Sequence, residues 1–337
     1  MKKRALILFL ILLLLLSSCA KQKEPERGEV KVLDSGAQIT AFENETAAIE
    51  YFEKRLSELE NKWDPKNQDG EIAKFNNTRS NSHLSDETVK LLLNCISLSE
   101  RTNGKLDITL YPLTRLWGFE SDAPQKPEDM LVSLLKTKCG MDTISVSNNL
   151  FTLDEYTMLD PSAVTNGYAA DLIASELVDL GCKSAVFNIG DHTRTVGKNN
   201  NGEDWKVSLA DPLESEKSFA EISVSGNKSV STKGSFQCYF EEDGKRYCNI
   251  LDPKNGRPVD GDLVAATVVC KEGIAADAYA LTCFILGAKD AEEFYRERSD
   301  FEMILVLNNG EIRESEGLVD NFVPSDQNKK VTVIGKK

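Results

Sequence analysis

Histidine is almost missing from this chain: His83 and His192 are the only two in 337 residues. A histidine-built metal centre or a serine–histidine–aspartate site therefore has little material. Cysteines number eight, but no C-x-x-C spacing occurs. Beyond Cys19 they are Cys95, Cys139, Cys182, Cys238, Cys248, Cys270 and Cys283, an odd set at wide intervals, which argues against zinc. Several lie in apolar runs such as LLLNCISL and ALTCFIL, where cysteine behaves as a small buried hydrophobe. Cys238 and Cys248 leave one disulfide across a hairpin open. Basic runs are missing after Arg4, and 54 acids against 40 bases give a formal net charge of −14. Such a surface is repelled by nucleic acid and anionic headgroups, so the chain is not a nucleic-acid binder.

An apolar run of membrane-spanning length is lacking as well. The stretch Ala5–Leu16 follows Lys2, Lys3 and Arg4 and has the length of a signal-peptide core, not of a span. It ends in Leu16-Ser17-Ser18-Cys19, which resembles a bacterial lipobox with Cys19 as the acylated residue; a plain cleavable signal is the other reading. Acyl chains add about 0.8 kcal/mol per buried methylene, enough together to anchor the protein. The expected division is a lipoprotein signal peptide at 1–18, a charged tether at 19–30, one domain at 31–325 and a polar tail at 326–337 that frays. The domain then sits on the periplasmic or other extracytoplasmic face. Loss of residues 1–18 removes three basic charges and no acid, taking the net charge to −17.

Within the domain, apolar spacing predicts helices at ETAAIEYFEKRLSELENKW, SDETVKLLLNCISLSERTNG, PEDMLVSLLKTKCG and GYAADLIASELVDLGC. Ser85 is the N-cap candidate of the second, with Asp86 and Glu87 in its first turn; Thr88 in place of Glu or Gln leaves a capping box incomplete. AADAYALTCFILG, Ala275 to Gly287, reads as a further amphipathic helix with Asp277 in its first turn. Strands are predicted at VKVLDSGAQITAF, DTISVSNNLFTLD, SAVFNIG, DWKVSLA, FAEISVS, LVAATVVC and FEMILVLN. Helices and short strands mix without strict alternation, which points to an α+β fold with mixed sheets and flanking helices.

Four stretches hold more Gly, Pro, Asp and Asn than packing needs: GKLDITLYPLTRLWGF at 104–119, LDPSAVTNGYAAD at 159–171, FNIGDHTRTVG at 187–197, and the run from Val230 to Val259. A turn entering a helix, as at 159–171, suits a phosphate group. Singly, each also reads as turn chemistry.

Together, in this order, and with WDPKNQDGEIAKFN near the front, they resemble the bacterial FAD:protein FMN transferases, the ApbE flavin transferases. The resemblance runs from about Val32 to Gly287, and the DITLYPLTRLWGF and DGKRYCNILDPKNGRPV elements are its most specific parts. It implies an enzyme that uses Mg²⁺ to split the FAD pyrophosphate, transfers FMN to a threonine hydroxyl of an acceptor flavoprotein and releases AMP. Matching positions imply flavin-nucleotide contacts at Leu33, Trp63, Lys105, Leu106, Asp107, Asp160, Asn166 and Leu251. For the metal they imply the Ala163 carbonyl and the Asp277 carboxylate. Bland readings stand beside these: core packing for Trp63, turn acceptors for Asp107 and Asp160, an Asx turn for Asp252, a helix-start charge for Asp277.

The pattern also breaks. Four residues after Asp277 the family has a threonine; here Leu281 stands there and Thr282 follows, about 140° from Asp277 around the helix. The family's histidine before its I-x-D-P element is Asn249, a Lys or Glu is Asn166, and the second glycine of a pair is Asp191. The rival expectation is therefore a non-catalytic flavin-binding or partner-binding lipoprotein with an eroded site; FAD pyrophosphatase activity without transfer is a third.

Overall fold

The computed structural model describes residues 26–32, 35–121, 123–212, 214 and 217–336. Cys19 and Leu33, and the signal and tether through residue 25, lie outside the described residues. A nine-stranded sheet forms the centre, its strands neighbouring one another in the order of the chain: Glu26–Val32, Ser35–Phe42, Ser184–Ile189, His192–Val196, Ser229–Gly234, Leu263–Cys270, Phe301–Leu307, Ile312–Ser315 and Val331–Ile334. All pairings are antiparallel except the last.

Leu263–Cys270 is buried along its whole length because both sheet faces are covered. Successive side chains point to opposite faces. Ala266, Val268 and Cys270 join the core beneath the helices Glu45–Trp63, Ser162–Asp179 and Gly273–Leu286. Ala265 and Val269 meet Val207, Phe219 and Ile222 of a three-stranded sheet on the other face. A small third core gathers Leu113, Trp117, Val132 and Leu251, with Phe240 and Tyr247 stacked 5.0 Å apart beside it.

Several sequence expectations need correction. VKVLDSGAQITAF is split between two paired strands, with Val32 opposite Ser35. The tail expected to fray adds Val331–Ile334 to the sheet edge, because Ile312–Ser315 offers an unpaired backbone row. Cys238 and Cys248 are free thiols. Tyr239 lies opposite Cys248 and the Asn249 N–H donates to the Cys238 carbonyl, so the two cysteines are one residue out of register and point to opposite faces.

The helix holding Asp277 begins at Gly273, which places Asp277 in the second turn. It is buried nearly all round between the sheet and Ser162–Asp179, so it is not amphipathic. Its start is capped from outside: Asp171 accepts the N–H groups of Gly273 (2.7 Å) and Ile274 (3.1 Å), a carboxylate on the positive end of the helix dipole. No helix of the described residues is long and apolar enough to cross a membrane.

Candidate active site

Two cavity parts open between the start of Ser162–Asp179, the Asp191 turn and the Lys233–Ile250 segment. The larger, about 580 Å³, is lined by Trp63, Glu60, Asn166 and Ala169; the smaller, about 220 Å³, by Lys105, Asp107, Tyr111, Ala163, Leu251 and Leu281. Asp160, Ser162, Asp191, Lys233, Gln237 and Asn249 belong to both walls. The larger part alone falls in the size range of small-molecule sites.

Local chemistry holds each wall residue. Trp63 ends the helix Glu45–Trp63; its Nε1–H donates to Thr88 Oγ1 at 3.0 Å and its ring lies 5.4 Å from Tyr168. Asp107 Oδ1 accepts the Thr109 N–H (2.9 Å) and hydroxyl (2.6 Å), and burial raises its pKa. Asp160 donates its N–H to the Ile108 carbonyl and accepts the Ser162 N–H at 2.9 Å; burial raises its carboxyl too. Asp252 accepts the Lys254 N–H and faces Lys105 Nζ at 3.5 Å. The turn-acceptor reading of these acids and their place on or beside the cavity therefore hold together. Leu106 differs: its side chain is fully buried in the main core and lines neither cavity part.

Asp277 lies behind this wall, fully buried. Its Oδ1 accepts His192 Nδ1–H (2.8 Å) and the Ser231 hydroxyl (2.6 Å), and Oδ2 accepts the Gly167 N–H (2.7 Å). Lys233 Nζ stands 4.0 Å from Oδ1 and 2.8 Å from Asp191 Oδ2. Burial works to raise the Asp277 carboxyl, but Lys233, His192 and Ser231 outweigh it and hold it well below the usual carboxylate range. Lys233 is the mirror case: burial opposes its charge, and Asp191 and Asp277 keep it raised. At about 4 Å an ion pair is worth about 4 kcal/mol at an effective dielectric of 20, before desolvation is counted.

Asp277, His192 and Ser229 are connected like a hydrolytic triad, with His192 Nε2 2.9 Å from Ser229 Oγ. Yet Ser229 is fully buried and accepts Arg194 Nη1–H at 3.1 Å, so it has no approach for a substrate. This chain of hydrogen bonds orients Asp277; it is not a nucleophile relay.

The fit to Mg²⁺ follows from these contacts. The Gly167 N–H, whose regular helical acceptor is the Ala163 carbonyl, donates to Asp277 Oδ2, which sets the Asp277 carboxylate against the first turns of Ser162–Asp179. A hard octahedral cation needs further oxygens. Leu281 supplies none, and Thr282 turns its hydroxyl to the Ala278 carbonyl at 2.6 Å. The cation beside Asp277 is the Lys233 ammonium. These residues do not fit a Mg²⁺ ion held as the resemblance implies, and no group of three or more His, Cys, Asp or Glu among the described residues forms a metal cluster.

Lys233, Gln237, Glu60 and His192 were not singled out from the sequence. The one signal was Asp191: an acid facing a phosphate site calls for a neighbouring base, and Lys233 stands in the turn-rich run from Val230 to Val259.

Comparison with known proteins agrees with the geometry. The sequence profile of the ApbE family matches residues 30–305. The FAD:protein FMN transferase of Haemophilus influenzae is 30% identical over 299 residues, covering 85% of each chain. Among solved structures, the ApbE protein of Thermotoga maritima superposes with a TM-score of 0.81 at 21% identity, over 87% of this chain and 98% of its own. The flavin transferase ApbE of Vibrio cholerae gives 0.76 at 23% identity, over 88% and 99%. Cavity walls built from the four turn-rich stretches, the shared α+β architecture and a profile match across most of the sequence lead to one assignment: the chain belongs to the ApbE family.

Proposed function

We propose that this chain is a FAD:protein FMN transferase. The observation that carries the reading is the two-part cavity: Trp63 and Ala169 give the larger part apolar surface for a flavin ring, and the parts meet at Lys233 and at Ser162, the start of a helix, where a pyrophosphate finds positive charge. In the reaction the acceptor hydroxyl oxygen, a threonine as the resemblance implies, bonds to the FMN phosphorus. The bond from that phosphorus to the bridging oxygen breaks, and AMP leaves. Asn249 has no basic site, so the hydroxyl proton passes to a carboxylate. Asp160 lines both cavity parts and burial raises its pKa, which makes it the best-placed acceptor. The Mg²⁺ dependence implied by the resemblance has no support from the residues around Asp277.

The test is incubation with FAD and a threonine-bearing acceptor protein, reading AMP by chromatography and the acceptor by mass. AMP release with a matching FMN mass gain supports transfer. AMP without acceptor labelling would reduce the activity to FAD cleavage. Asn249 and Leu281 favour a second reading, a flavin-binding protein without turnover; tight FAD binding with no AMP would establish that one.

The lipobox-like Leu16–Cys19 supports acylation at Cys19, a membrane anchor and an extracytoplasmic position for the domain. Mass spectrometry of the mature N-terminus tests it; an unmodified cysteine would sink the anchor.

A further inference from the structure

The transfer reading uses Lys233 only as a positive charge for the pyrophosphate; its pairing with Asp191, and its place beside Asp277, are left without a role. Asp191 stands on the cavity wall, where an unpaired acid would repel a pyrophosphate. Its Oδ2 is taken by Lys233 at 2.8 Å. Lys233 reaches the same place from a strand on which Ser231 already holds Asp277 Oδ1. An ammonium has three N–H donors, and the Asp191 bond uses one. The side chain is 11% exposed, faces Asp277 at 4.0 Å and forms part of both cavity walls. Leu281 lines the smaller part and offers no oxygen. Charge, position and missing ligand agree: the place beside Asp277 already holds a cation, and that cation is covalently part of the chain.

We propose that Lys233 stands in for a divalent ion: its ammonium pairs with Asp191, offsets the charge of Asp277 in part and turns its remaining donors to the nucleotide's phosphate, so FAD binds without a metal. The inference rests on the flavin-nucleotide reading of the cavity, but its first test does not involve flavin.

Mn²⁺, a paramagnetic stand-in for Mg²⁺, is titrated into the purified protein and into Asp277→Asn, with free ion read by electron paramagnetic resonance. The expected result is the same isotherm for both, weak surface acids only. A stoichiometric site present in the parent and lost in Asp277→Asn would overturn the proposal. FAD affinity is then measured by flavin fluorescence in excess Mg²⁺ and in EDTA. The constants should agree within about twofold, whereas a tenfold or greater loss in EDTA overturns the proposal and leaves the flavin reading intact. No FAD binding in either condition removes the flavin reading itself. Finally, Asp191→Asn combined with Lys233→Gln removes the pair at nearly constant volume. It should weaken FAD by about tenfold or more but riboflavin, which has no phosphate, by less than about twofold. Unchanged FAD affinity overturns the proposal. Loss of riboflavin too would signal a damaged fold, and the Mn²⁺ comparison then decides.

Discussion

A Cβ on Gly167 would lie 2.2 Å from the Gly273 carbonyl oxygen, and one on Gly273 would lie 2.3 Å from the Gly167 carbonyl oxygen. The two helices thus cross backbone to backbone, and this closeness lets the Gly167 N–H reach Asp277 Oδ2. Gly167→Ala must push the helices apart or bend them, at a cost of about 3 kcal/mol, the upper end for overpacking. Urea unfolding measures it. A loss below about 0.5 kcal/mol, typical of a surface change, would mean that the crossing is not tight.

The buried charges around Asp277 make its removal costly. Asp277→Ala leaves Lys233 with one carboxylate fewer and takes the acceptor from His192 and Ser231. Breaking a buried pair from one side costs about 3–5 kcal/mol. Asp277→Asn keeps an acceptor for His192 or Ser231 and should lose less, also by urea unfolding. Equal losses for the two variants would contradict the assigned hydrogen bonds.

How far the sequence led is clearest at single residues. The Ser85 cap was legible because capping is local: its Oγ meets the Thr88 N–H. The turn between Tyr239–Glu242 and Lys245–Cys248 is equally local: an Asp-Gly pair, 243–244, supplies the two positive φ values it needs. The start of Ser162–Asp179 was not. Val164 and Thr165 are β-branched and favour other structure, and packing of the helix against its neighbour overrides that preference. Nor was the partnership of Asp191, Lys233 and Asp277 legible. They lie 42 and 44 positions apart, in a turn, a strand and the second turn of a helix, and only the tertiary fold brings them together. The family resemblance pointed to Asp277, but not to the side chains that hold it.

Glu60 gives the cavity a pH response. Its Oε2 is buried without a hydrogen-bond partner among the described residues, and burial together with the nearby Asp64 pushes its pKa to about 7. A raised carboxyl pKa means that the folded state binds more protons than the unfolded one between the ordinary glutamate value and about 7. Stability from this group is therefore present at low pH and lost as pH rises through that window. Glu60→Gln should abolish that part of the decline, so the variant melts higher than the parent at pH 8 but not at pH 4. Thermal melts across the range check it. A constant offset at every pH would show that Glu60 does not titrate there.

Asn249 offers the most direct test of whether the proton acceptor limits the chemistry. It lines both cavity parts, and its amide can neither take nor give up a proton at neutral pH. Its backbone is fixed by the N–H bond to the Cys238 carbonyl at 3.0 Å, so a new side chain starts from a held position. Asn249→His places an imidazole with a pKa near neutrality at the junction beside Lys233 and Asp160. General-base catalysis contributes typically about 10²–10⁴-fold. If proton removal is slow in the parent, AMP release with acceptor present should rise by at least about tenfold, and the gain should fall away below pH 6 as the ring protonates. FAD affinity should stay nearly constant, because the change acts on the transfer step. A rise in affinity without faster AMP release would locate Asn249 in nucleotide binding instead. No change in either would leave Asp160 as the working acceptor, and Asp160→Asn should then abolish AMP release.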